Sequence, residues 1–321
     1  MSTMTLPTGG AAPGPRPGVH ALDTRDVDHL AVALRGWDYR LEQLGRGPFL
    51  ARLRLAPLGP LQIMDAEVNL PLHARGLHAA GAYVFTVVEP ANAGARWRGR
   101  HLRPGMVNVL RPGEETNHAS TADYRVTNLL VPGDLFRRAC AGALRADPDR
   151  LLAVGTPQIG PERGAALAAR WRGLTAAAAG LPADPTDLVV HCVRTLAAGR
   201  FEEPSRTTPA ARLRVVREAQ EFARSAPPED VTILKLCELT DVSARTLHYA
   251  FVEVLGLTPK AYFKALRLNA ARRDLARTEP GRGRVEVIAR RHGFTHLGGF
   301  AQDFRRQFGA LPSAVLGSRT G

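Results

Sequence analysis

Few groups in this chain have the types and spacing that covalent or metal chemistry needs. His73, His78, His101 and His118 are spread along its first half. A metal centre on strands needs about three histidines and a carboxylate, two of the histidines close together. No His-x-His pair occurs here. Glu114, Glu115 and His118 cluster after Pro112-Gly113 and read as a solvated loop. Cys140, Cys192 and Cys237 are far apart and odd in number, so neither a disulfide framework nor a zinc spacing follows. They read as small buried apolar residues. Phosphate-binding loops, nucleotide fingerprints and nucleophile–base pairs are not evident. What the chain does offer is electrostatic. It carries 43 Lys and Arg against 30 Asp and Glu, a net charge of +13. Residues 206–321 hold 20 and 11 of these, a net of +9, in the shorter part of the chain. A basic region of this kind is the footprint of a polyanionic partner, but a membrane surface can use the same charge, so the sign alone does not decide.

The same region contains an internal repeat, which supplies the elements that would position such a surface. Leu247, Phe251, Gly256 and Pro259 recur 53 residues later as Phe300, Phe304, Gly309 and Pro312. Each copy gives a core-facing i, i+4 pair, a glycine where a helix stops, and a proline that restarts the chain. A short amphipathic helix precedes each copy, over Ile233–Leu239 and Val285–His292. Tight turns follow at Asp241-Val242, where Asp tolerates a left-handed backbone, and at Gly293-Phe294. Ser243 and Thr295 are the expected N-caps of the second helices. Short helix, tight turn and capped longer helix form a helix-turn-helix. Between the copies, Thr258 as N-cap and Pro259 as first residue open a helix to about Arg277. Nineteen residues span about 28 Å, against ~34 Å between adjacent major-groove faces of one DNA side.

Ser243-x3-Leu247-x3-Phe251-x4-Gly256-x-Thr258-Pro259-x2-Tyr262 resembles the first unit of AraC/XylS regulators. Ile288-Ala289-x3-Gly293-Phe294-x5-Phe300-x3-Phe304-Arg305-Arg306-x-Phe308-Gly309-x2-Pro312-Ser313 resembles the second, more diagnostic one. The resemblance covers residues 210–318 as a DNA-binding domain and implies that the second helix of each unit enters a major groove. Arg245, His248 and Tyr249 match the base-reading positions of unit one. In unit two the matches are Leu297, Gly298, Ala301 and Gln302, with His296 at the N-terminal end. Leu297 and Gly298 cannot read base edges by side-chain hydrogen bonds. Unit two is therefore expected to discriminate less and to hold phosphates, with Arg305, Arg306 and the amides at Thr295 as candidates.

Upstream, residues 1–19 are rich in Pro, Gly and Ala and read as a disordered tail; a short helix is expected around Asp26–Gly36. Short strands are expected at Phe49–Leu55, Leu61–Val68, Tyr83–Val88, Met106–Leu110 and Tyr124–Val131, from period-two patterning between Pro-Gly turns. Helices are expected at Asp134–Leu144, Glu162–Ala179 and Pro185–Ala198, then a linker over 201–209. By resemblance the strand-rich part is similar to the cupin-like sensing and dimerisation domain of the family. The fold class is thus α+β: a cupin-like β-barrel with a helical connector over 20–200, then an all-α double helix-turn-helix. Trp97 and Tyr83 are candidates for a pocket lining. The partner implied is double-stranded DNA, with room for a small-molecule effector, RNA polymerase and a second copy in a homodimer. No cofactor, metal or catalytic residue is called for. No apolar stretch approaches the ~20 residues of a membrane span, nothing resembles a signal peptide, and a reducing cytoplasm is the default setting. Two other readings stay open: a cupin-type metalloenzyme with an attached basic domain, and a non-specific DNA-binding protein.

Overall fold

A computed structural model describes residues 19–34, 38–77, 81–153, 156–176, 186–202 and 208–318. The expected disordered tail lies, except for Val19, outside these residues. The chain begins with β1 (His20–Thr24), α1 (Val27–Ala33), β2 (Asp38–Gln43), β3 (Ala51–Leu58), β4 (Leu61–Val68), β5 (Leu72–Leu77) and β6 (Ala82–Val87). There follow β7 (Arg96–Trp97), β8 (Arg100–His101), β9 (Val107–Leu110), β10 (Glu115–Ala119) and β11 (Tyr124–Pro132). These strands make a six-stranded sheet in the order β1-β3-β4-β11-β6-β9 and a five-stranded sheet in the order β2-β5-β10-β7-β8. Leu41 and Leu72 of the smaller sheet share an apolar cluster with Leu53, Met64, Val84 and Leu130 of the larger one, so the two sheets face each other.

Strand alternation divides the larger sheet between two cores. Along β11, Tyr124, Val126 and Asn128 line the cavity between the sheets, whereas Leu129 and Val131 face a second cluster. That second cluster is completed by α2 (Gly133–Leu144), α3 (Pro148–Ala153), α4 (Pro161–Ala176) and α5 (Thr186–Ala197). The helices expected only as a connector therefore form one wall of the N-terminal core, with Trp171 fully buried. Tyr83 packs there against Phe136, ring centroids 4.7 Å apart, and not in the cavity; Trp97 does line the cavity. The Pro-Gly turn before β9 needs its glycine: Gly105 has φ +84°, and a Cβ there would lie 2.3 Å from the Gly160 backbone.

The short strand β12 (Thr156–Gln158) pairs with β13 (Arg200–Glu202). Residues 201 and 202 thus belong to the N-terminal part and not to a linker, and 203–207 lie outside the described residues. The rest is helical: α6 (Thr208–Ser225), α7 (Ile233–Thr240), α8 (Ala244–Leu255), α9 (Pro259–Arg277), α10 (Arg284–Arg291), α11 (Leu297–Phe308) and α12 (Pro312–Val315). No helix among the described residues is long and apolar enough to cross a membrane.

Candidate nucleic-acid interface

Unit one consists of α7 and α8. Thr232 caps α7 by accepting from the Lys235 amide at 3.2 Å. Asp241 ends it in the left-handed region, φ +51°, as the sequence required. Ser243 then caps α8 by accepting from the Thr246 amide at 3.1 Å. Leu236, Leu247, Ala250 and Phe251 are fully buried beneath α8. Its other face presents Arg245, His248 and Tyr249, all exposed. The Arg245 guanidinium lies 5.2 Å from the Tyr249 ring centroid, a cation–π contact one helical turn long.

Unit two consists of α10 and α11. Gly293, φ +75°, follows the end of α10, and the Phe294 amide turns back to the Ala289 carbonyl at 2.9 Å. Phe300 and Phe304 are buried, and Phe308 meets Phe304 edge to face, ring centroids 4.7 Å apart. The expected cap at Thr295 is not found. The N-cap is His296, and its side chain makes no capping bond. The 53-residue offset of the repeat carries Ser243 onto His296, so Thr295 sits one residue too early to cap. Exposed on this unit are His296, Gly298, Gly299, Gln302, Arg305 and Arg306. Leu297 is half-buried and packs on the unit's own core; it anchors the helix.

The two units are joined by α9, whose 19 residues begin after Thr258, which accepts from the Ala261 amide at 3.2 Å. This helix has a second role that the sequence did not reveal: it is clamped to the smaller sheet. Asn269, fully buried, exchanges two bonds with the Gln43 backbone, 3.1 and 3.0 Å. Gln307 of α11 donates to the carbonyls of Gln43 and Gly45 at 2.9 and 3.0 Å. Arg272 makes a fork with Asp26 at 2.9 and 2.7 Å and also bonds Asp28. Arg273 meets the buried Glu42 at 3.0 Å. Burial works against the charge on Asp26, but the Arg272 bonds outweigh it and hold that carboxyl below the usual range. On Glu42 burial wins over Arg273 and raises the carboxyl's pKa.

On the unit-one side, Gln220 donates to the Tyr262 hydroxyl oxygen at 2.9 Å, and that hydroxyl lies 3.3 Å from His73 Nδ1. His73 Nε2 meets Asn117 Oδ1 at 3.2 Å. With Tyr262 donating, a neutral His73 protonated on Nε2 satisfies both contacts. Complete burial, aided by Arg75 and Arg224, lowers its pKa to about 4 against the lesser pull of Asn117 and Glu115. Arg75 adds a bridge to Glu221 at 3.0 Å, and Arg217 one to Glu115 at 3.2 Å.

The clamp strands are two-sided. On β2, Tyr39 and Leu41 line the inter-sheet cavity, whereas Glu42 and Gln43 beyond them hold α9. On β5, Leu72 and Ala74 line the cavity, whereas His73 and Arg75 reach the helical domain. Helix α1 gives Leu30, and its C-cap Leu34, to the cavity and Asp28 to Arg272. Residues 115–119, expected as part of a solvated loop, are the strand β10, and His118 on it lines the cavity. Among the described residues no three of His, Cys, Asp and Glu come together as a metal site would need.

The helix-turn-helix domain family matches residues 236–318. The chain is similar to the probable thc operon regulatory protein of Rhodococcus erythropolis, 34% identical over 117 residues, which are 36% of this chain and 34% of that one. It is also similar to the XylDLEGF operon transcriptional activator of Pseudomonas putida, 33% identical over 96 residues, 30% of each chain. The matched stretch therefore spans about a third of those relatives' own length. Among solved structures it is similar to the AraC-like transcriptional activator CuxR, with 16% identity and a TM-score of 0.38, over 77% of this chain and 94% of that one.

Proposed function

The C-terminal region being a helix-turn-helix domain of the AraC/XylS type, we propose that this chain is a sequence-specific regulator of transcription that binds double-stranded DNA through both units. The observation that carries this is the pair of matched frames, each with its second helix exposed, at the two ends of a 19-residue helix. About 28 Å of α9 suits two adjacent major grooves ~34 Å apart. Arg245 pairs with guanine; His248 and Tyr249 give single bonds or pack on thymine methyls. In unit two Gln302 is the base reader. His296, Arg305, Arg306 and the uncapped amides around Leu297 and Gly298 hold phosphates.

The N-terminal domain is the sensor in this reading. A small-molecule effector in the inter-sheet cavity bears on β2, β5 and α1, whose opposite faces hold α9. Shifting those strands changes the clamp, and with it the freedom of the two units to meet DNA together. RNA polymerase and a second copy of the chain are further partners that this reading accommodates. The test is DNA binding by the full chain at stepped ionic strength. Six to ten phosphate contacts imply a loss of roughly 10³–10⁵ in affinity between 50 and 200 mM salt. A genomic site should also survive an excess of random DNA. Salt-insensitive binding, or none, sinks the proposal; equal competition by random DNA favours a non-specific binder.

A further inference from the structure

The cavity between the sheets has a volume of about 130 Å³. An engineered protein cavity of ~150 Å³ takes up one benzene ring, so this one has room for a single six-membered ring and little more. Leu30, Leu41, Met64, Val84, Trp97 and Leu110 give it apolar walls. Among the described residues no Asp, Glu, Lys or Arg lines it. Two of its wall residues carry buried polar atoms with no hydrogen-bond partner, Oδ1 of Asn108 and Nε2 of His118. Asn108 is only 5% exposed. By contrast, Asn128 Oδ1, on the same wall, already accepts from Thr86 at 2.6 Å. The His118 ring lies against Tyr124, centroids 4.8 Å apart, and burial lowers its pKa to about 4, so it is neutral near pH 7.

A buried polar atom without a partner is costly, and native proteins keep few of them. A carboxylate or ammonium entering this cavity would shed its water and find no opposite charge. Resting on the sensor reading above, we infer that the effector is an uncharged single-ring compound bearing one hydroxyl group. The ring fills the apolar volume. The hydroxyl donates to the Asn108 carbonyl oxygen or pairs with His118.

The full chain is titrated calorimetrically at pH 7.5 with 4-methylphenol, toluene, benzoate and 2-naphthol. One 4-methylphenol per chain is expected. Toluene should bind about five- to tenfold more weakly, the loss of one net hydrogen bond. Benzoate should bind at least about a hundredfold more weakly. 2-Naphthol should give no heat, since its second ring exceeds the volume. In Asn108→Leu or in His118→Leu, according to which group meets the hydroxyl, the preference for 4-methylphenol over toluene should fall toward one while toluene still binds, which shows the cavity intact; a preference unchanged in both overturns the inference. Ala66→Phe, which fills the cavity, should abolish binding of both in a chain that still binds DNA. Benzoate or 2-naphthol binding as tightly as 4-methylphenol overturns the inference, as does the absence of 4-methylphenol binding to a chain that binds DNA. The latter result leaves the regulator reading standing. Binding of 4-methylphenol with no change in DNA affinity upholds the ligand class and removes the effector role.

Discussion

Units one and two put Phe251 and Phe304 at the same point of the same frame, both fully buried, and then begin their reading helices differently. Helix α8 is capped by Ser243 and turns Arg245, His248 and Tyr249 outward. The repeat offset carries these three onto Gly298, Ala301 and Gln302 of α11, whose cap His296 makes no side-chain bond. The frame is thus duplicated while the reading face is not. Packing geometry constrains the apolar positions alike in both copies. In the proposed function base recognition bears on the outward side chains, and there unit two has Gly298 and Ala301 where unit one has Arg245 and His248. We propose a division of labour on this basis, in which unit one reads and unit two holds.

If the frames are equivalent, Phe251→Ala and Phe304→Ala should each cost about 3–5 kcal/mol. Denaturant unfolding of the full chain checks this. A loss below about 1 kcal/mol at either site would show that its unit is not held by this core. A sharper probe restores the missing donor. Nothing lies within 4 Å of a Cβ built on Gly298, so Gly298→Arg places in unit two the residue that unit one has at Arg245. It should add about 1–3 kcal/mol of discrimination at one base in the second half of the site. No new preference there would mean that α11 does not lie in the groove as α8 does.

The attachments to the sheet differ as well. On the unit-two side Gln307 of α11 and Asn269 of α9 bond through amides beside the ion pairs of Arg272 and Arg273, whereas the unit-one side rests on His73 and Tyr262. The His73 pKa, about 4 in the fold, lies below the ~6.5 of an unfolded chain. The unfolded state therefore binds the extra proton first as pH falls. Stability is complete above pH ~6.5 and declines toward pH ~4, by up to about 1.4 kcal/mol per pH unit for each such histidine. His118 behaves alike. His73→Gln should lessen the slope of melting temperature against pH in that window, and an unaltered slope would show that His73 is not neutral in the fold.

Much of the frame was legible because its signals are local. Thr258-Pro259 fixed the start of α9, Asp241 the left-handed stop of α7, and period-two runs gave β4 and β11. The strands β5 and β10 were missed for a physical reason. Their segments, Leu72–Leu77 and Glu115–Ala119, are covered on both faces, by the cavity and by the helical domain. His73, Thr116 and Asn117 are buried polar residues with specific partners or neighbours there, so no apolar–polar alternation appears. The clamp was hidden likewise. Asn269, Arg272 and Gln307 look like solvated helix residues in one dimension, and only the arrival of Gln43, Asp26 and Asp28 from more than 200 residues away buries them. The candidate DNA face was legible through the repeat, apart from Leu297, which packs inward, and the cap at His296.

The claim that unit one reads and unit two holds is tested most directly by selecting binding sites from random DNA with the wild-type chain, Arg245→Ala and Arg305→Ala. The wild-type motif should carry most of its information in one half. Arg245→Ala should flatten one or two positions of that half, a loss of about 1–3 kcal/mol of discrimination. Arg305→Ala should leave the letters unchanged, weaken all sequences alike and lower the salt slope by about one. Equal information in both halves, or a motif that Arg305→Ala rewrites and Arg245→Ala does not, would contradict the assignment.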